Sequence, residues 1–131
     1  MRKLISETDY ADVLHDSSVK IGIIIWKRKT SLEEYKNAFI KLLSYAENHP
    51  ADFFMSDITK QSVVSPEGRK WFETDMLPKA IKLGLKKAAT ITDGNVFKKY
   101  YVNMIIKSTN KFGLPLKLFG TEEEAINWFK K

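Results

Sequence analysis

Apolar and polar positions alternate with period two where a strand is half-buried, and recur every three to four residues along one face of a helix. Both patterns occur in turn along this chain. Leu4 to Ser6 and Ala11 to His15 read as short strands, and the polar turn Asp16-Ser17-Ser18 leads into Lys20 to Lys27, so the opening is predicted as an antiparallel hairpin. The run Ile21-Gly22-Ile23-Ile24-Ile25-Trp26 is nearly continuous in β-branched residues, which predicts burial on both faces at the centre of the sheet. Ser31-Leu32-Glu33-Glu34 has capping-box spacing and opens a helix carrying Leu32, Tyr35, Phe39, Leu42, Leu43 and Ala46 on one face. Asn48-His49-Pro50 ends it, because the residue before proline avoids helical geometry.

Asp52 to Ile58 reads as a second central strand, and a loop over Thr59 to Val64 runs into Ser65-Pro66-Glu67, a helix start with proline at its first position. That helix carries Trp71, Phe72, Leu77 and Ile81 to a stop at Gly84, with Pro78 predicted to kink or split it because proline removes one internal hydrogen bond. Lys87 to Thr92 is a third core strand closed by the turn Asp93-Gly94. Phe97, Tyr100, Tyr101, Met104, Ile105 and Ser108 mark a helix stopped at Gly113, Leu114 to Phe119 a last strand, and Thr121-Glu122-Glu123-Glu124 a terminal helix with Ala125, Ile126 and Phe129 inward. Alternating strands and helices from residue 20 onward predict an α/β domain spanning 1–131, its mixed, mostly parallel sheet flanked by about four helices and carrying an N-terminal antiparallel hairpin. Such sheets bind ligands at the carboxyl ends of their strands, here near Asp57 to Thr59, Asp93 and Phe119-Gly120.

Composition narrows the chemistry. At 131 residues, with 44% hydrophobic and 29% charged positions, the chain has the size and make-up of one globular domain. It has no cysteine, which removes disulfides, thiolate metal sites and Cys nucleophiles. Residues Met1 to Glu7 turn acidic after two apolar positions, unlike a signal peptide, and the longest apolar run is far below the ~20 residues that span a bilayer. The expectation is a cytoplasmic protein with no transmembrane segment. The net charge of +6 lies wholly in the second half, with thirteen Lys/Arg against seven Asp/Glu over 66–131. Most of these lysines fall between apolar positions of amphipathic segments, as a solvated face requires, and aromatics interleaved with arginine for base stacking are missing, so no specific nucleic-acid role is expected.

Recognisable catalytic constellations do not occur. Only His15 and His49 offer imidazole, and both read as surface residues, one at a turn and one at a helix end. Single glycines form no phosphate loop, and no spacing suits a metal, so neither cofactor nor metal is expected. The polar stretch Ser56-Asp57-Ile58-Thr59-Lys60-Gln61-Ser62-Val63-Val64-Ser65-Pro66 stands out, at a strand end feeding a helix start. It suits an anion or a phosphoserine, or Ser65 is simply the helix cap and Asp57 a turn residue. Candidate partner- or ligand-binding residues are Asp57, Thr59, Ser62, Ser65, Arg69, Trp71 and Asp93. Trp71 and Phe72 are adjacent and point apart, so one of them is expected to be exposed or part of an interface.

The order of elements, together with Val64-Ser65-Pro66-Glu67-Gly68-Arg69-Lys70-Trp71, Leu77-Pro78-Lys79-Ala80 and the ending Gly113-Leu114-Pro115 to Glu123-Glu124-Ala125-Ile126-Asn127-Trp128, resembles the STAS-like (SpoIIAA-like) domains, among them small bacterial proteins. The resemblance covers nearly the whole chain. It implies a regulatory or ligand-sensing role in place of catalysis. In that superfamily anti-sigma-factor antagonists are switched by phosphorylation of a serine at the helix start after a central strand, and Ser65 or Ser62 stands nearest here, although the usual Asp-Ser-Ser-Gly motif is missing. Related lipid-carrying domains imply the alternative of an apolar pocket between helices and sheet. The expected partner is therefore a protein or a small apolar ligand, and exposed aromatics also suit a homodimer.

Overall fold

The computed structural model describes residues 2–131. Strands β1 (Arg2–Glu7), β2 (Ala11–Asp16), β3 (Ile21–Trp26), β4 (Phe53–Asp57), β5 (Lys87–Ile91) and β6 (Leu116–Phe119) form one sheet in sequence order. β1, β2 and β3 pair antiparallel; β3 through β6 pair parallel. The α/β class, the mixed sheet and the antiparallel opening agree with the sequence pattern, and the opening extends to a three-stranded meander with a register shift between Leu4 and Ser6. As expected of β3, its residues are buried on both faces except for half-exposed Ile25.

Helix α1 (Leu32–Ala46) joins β3 to β4, and its capping box forms: Ser31 Oγ accepts from Glu34 N, and Glu34 Oε1 accepts from Ser31 N. α2 (Pro66–Trp71), a π-helical turn (Phe72–Met76) and α3 (Leu77–Lys82) together join β4 to β5. The break predicted at Pro78 takes this form because a proline ring clashes with the carbonyl four residues back. The π-helical turn widens the helix, with Leu77 N donating to Phe72 O, five residues earlier. α4 (Val96–Lys111) joins β5 to β6, and α5 (Glu122–Phe129) follows. α4 ends at Gly113, whose φ of 73° lets Leu114 N reach back to Thr109 O and Gly113 N to Asn110 O.

The strands advance in one direction across the sheet, and crossovers between parallel strands share one hand. The connecting helices α1, α2–α3 and α4 therefore fall on the same face, where Trp26, Tyr35, Phe39, Phe54, Phe72 and Tyr101 lie in one apolar cluster. α5 alone covers the other face, packing Ala125 and Phe129 on Ile21, Ile23, Met55, Ala89 and Ile91. Among the described residues, no helix is long and apolar enough to cross a membrane.

Candidate functional site

The carboxyl ends of the parallel strands present two different places. At the ends of β5 and β6 the chain leaves to opposite faces, and an open crevice of about 400 Å³ is lined by Thr92, Asp93, Gly94, Lys99, Gly120 and Glu124, among others. Both helix starts beside it are already satisfied. Asn95 Oδ1 accepts from Phe97 N and Lys98 N, and Thr121 Oγ1 accepts from Glu124 N. Glu122, Glu123 and Glu124 in the first turn of α5 add negative charge, which works against an anion there.

The second place is the loop from the end of β4 to α2. Asp57 closes a turn, its Oδ1 accepting from Thr59 N at 3.0 Å and from Thr59 Oγ1 at 2.8 Å. Lys98 of α4 ties the loop down, donating to Thr59 O at 2.6 Å, with Asp93 Oδ2 3.7 Å from the same Nζ. Ser65 caps α2, its Oγ accepting from Gly68 N at 3.1 Å, and Arg69 donates back to Val64 O while its guanidinium lies 5.7 Å from the Tyr101 ring centre. Ser62 and Ser65 are exposed at the loop surface. Of the adjacent aromatics, Phe72 is buried, whereas Trp71 is half-buried against Tyr35 and Phe39 with Lys36 above it. Asp57, Thr59, Ser65 and Arg69 thus share one loop-and-helix unit. Asp93 joins it through Lys98, and Trp71 ends the same helix, two residues past Arg69.

One expectation is overturned. His15 is only 3% exposed. It occupies an inward position of β2 opposite Gly22, with its ring 5.1 Å from that of Tyr45 and Nε2 3.4 Å from Pro50 O. A polar turn follows directly in the sequence, yet strand alternation carries the side chain under α1. His49 stacks on Tyr45 at 4.0 Å. Both histidines sit at the end of the sheet where β4 begins, opposite the end that carries Ser62 and Ser65, so neither imidazole serves those hydroxyls as a base.

Two features carry detail that the sequence pattern does not: the size and polar lining of the pocket between sheet and helices, and one helix face. Beneath the loop, between sheet and helices, lies a cavity of about 50 Å³. Gln61 lines it, is 5% exposed, and its Nε2 has no hydrogen-bond partner among the described residues. Tyr35 and Tyr101 also line it. Burial pushes Tyr35 well above its ordinary pKa and Tyr101 up to about 12. Gln61 stands in the wholly polar stretch Thr59-Lys60-Gln61-Ser62, where nothing in the pattern marks one side chain as inward.

The other feature is the outward face of α4. Val96, Phe97 and Tyr100 are 76%, 78% and 70% exposed, and Met104 is exposed on the same side. Met104 rims a groove of about 230 Å³ against Arg69, Lys70 and Glu73 of the preceding helix. A sequence signal existed: apolar residues at 96, 97, 100, 101, 102, 104, 105 and 106 are too many for one helical face.

No protein family, no curated protein and no solved structure matches this chain.

Proposed function

We propose that this chain is a non-catalytic regulatory domain that binds a protein partner through the loop at 57–65, the start of α2 and the outward face of α4. The observation that carries this reading is the row of exposed apolar side chains on α4, Val96, Phe97, Tyr100 and Met104, on a helix that Lys98 and Arg69 tie to the loop. Contiguous exposed apolar surface with a polar rim is the mark of an interaction site. Lys60, Lys70, Lys99 and Lys107 are exposed on the loop, α2 and α4, which suits a partner segment that is acidic and amphipathic. The reading carries with it the STAS-like resemblance, a cytoplasmic setting and Ser65 or Ser62 as the point of modification. An exposed N-cap serine is open to a kinase, and a phosphate there meets the positive end of the helix dipole.

The alternative, a carrier of a fatty chain, calls for a pocket of roughly 300 Å³ or more. The cavity between sheet and helices is about 50 Å³, which favours the docking reading. The test is binding by the Phe97→Ser/Tyr100→Ser variant, with Ile40→Ser on exposed α1 surface as control, against a partner isolated in stoichiometric complex from the native host. Loss of the complex only in the α4 variant supports the proposal, and Ser65→Glu is expected to alter the same affinity. Equal binding by all variants overturns it. A self-association constant lowered by the α4 variant identifies the partner as a second copy.

A further inference from the structure

The cavity under the β4–α2 loop holds more polar capacity than the chain uses. Ser56 Oγ accepts from Trp26 Nε1 at 3.1 Å, which leaves its own proton to be donated. Gln61 contributes an amide whose Nε2 is unpartnered among the described residues. A buried amide without an acceptor costs about 1–3 kcal/mol, so a native fold that keeps one has a reason outside its own hydrogen bonds. The remaining walls are apolar, among them Phe39, Phe54, Phe72, Leu77 and Leu114.

We propose that this cavity is a binding site for a small neutral carbonyl compound, its oxygen accepting from the Gln61 amide and its apolar body lying against the aromatic walls. The acceptor is dictated by the unpartnered Gln61 Nε2. Neutrality follows because none of the side chains lining the cavity is Asp, Glu, Lys, Arg or His, and a buried charge without a counter-charge is expelled. Size follows from the volume: about 50 Å³ accommodates about three or four water-sized groups, as in acetone or acetamide, and no longer chain. Ordered water is the competing occupant, with Ser56 Oγ and Gln61 Nε2 as its partners, and the titration separates the two. This site is separate from the docking face, and stands whether or not a protein partner binds there.

The experiment is an NMR titration of the full-length labelled protein with acetone and, separately, acetamide, following the Gln61 side-chain amide. Its signal is assigned by its disappearance in Gln61→Leu. The expected result is a saturable shift of that amide, with nuclear Overhauser contacts from the probe methyls to Gln61 and to the Tyr101 ring. Gln61→Leu is expected to weaken binding about tenfold. Should Gln61→Leu fail to fold, Gln61→Met supplies the variant arm, and the contacts in the unaltered protein stand by themselves. The proposal is overturned if the amide shows contacts to water alone, or if neither probe shifts it saturably.

Discussion

Gly68 shows how one missing atom sets the path of a loop. A β-carbon built at this position would lie 2.5 Å from Val64 Cγ1, and Val64 is a buried, β-branched residue with little freedom to turn away. Gly68→Ala is therefore expected to destabilise the fold by about 1–3 kcal/mol, measured by urea unfolding, with Val64→Ala recovering part of the loss. If Gly68→Ala unfolds at the same urea concentration as the parent, the close approach is not what the glycine serves. Tyr35 and Tyr101 give a second residue-scale prediction. Burial raises both hydroxyl pKa values, so the folded state holds protons that the unfolded state loses. The stabilising contribution of Tyr101 is complete below about pH 10 and falls as pH rises through about 12, and that of Tyr35 falls as pH rises above its ordinary pKa. Tyrosinate absorbance and circular dichroism followed together should show part of the tyrosine ionisation arriving only with loss of the fold. Ionisation that is complete before the dichroism changes would contradict it. Glu34 behaves oppositely: its hydrogen bonds from Arg28 and Ser31 N hold it down at about 2, so its contribution is present above about pH 4.5 and lost as pH falls toward 2.

Among the elements, α4 is the one whose sequence and role diverge. Its inward face, Tyr101, Val102 and Thr109, is enough to seat it on the sheet. Phe97, Tyr100 and Met104 contribute little to that packing. The Phe97→Ser/Tyr100→Ser variant should therefore unfold within about 0.5 kcal/mol of the parent, even as it loses its partner. A drop several times larger would assign those rings to the fold. The β4–α2 connection was legible to a similar degree. Ser65, Pro66 and Pro78 announce the helix and its break through backbone rules that act within a few residues. Gln61 and His15 do not announce themselves, because burial of a polar side chain depends on what the rest of the fold lays over it. A lone histidine next to Asp16-Ser17-Ser18 reads as a turn until α1 is placed above β2.

At the scale of the whole molecule the two faces of the sheet are unequally covered. Three crossover connections shield one face, whereas the other depends on the eight residues of α5. Phe129 is the anchor of that cover, stacked on Phe53 with ring centres 4.7 Å apart. Phe129→Ala should cost about 3–5 kcal/mol in thermal or urea unfolding. A loss below 1 kcal/mol would mean that β3, β4 and β5 hold together without it. The positive charge of the second half lies mainly on exposed lysines, with those of α4 beside its apolar face, so the same helix supplies both contact area and attraction for an acidic partner.

Local rules acting along the chain were sufficient for the order of strands and helices, the capping box at Ser31, the Thr121 cap, the break before Pro78 and the mixed α/β class. Hydrophobic period, caps and proline sterics each involve neighbours within a turn or a strand. Which polar side chain turns inward, which apolar face stays in water and which end of the sheet receives the histidines are settled by contacts between residues far apart in sequence. Gln61 meets Tyr35 and Tyr101 at the cavity wall, and His15 meets Tyr45 and Pro50, only after the crossovers have laid three helical connections over one face. Periodicity specifies that a residue is covered, and only the packed structure specifies by what.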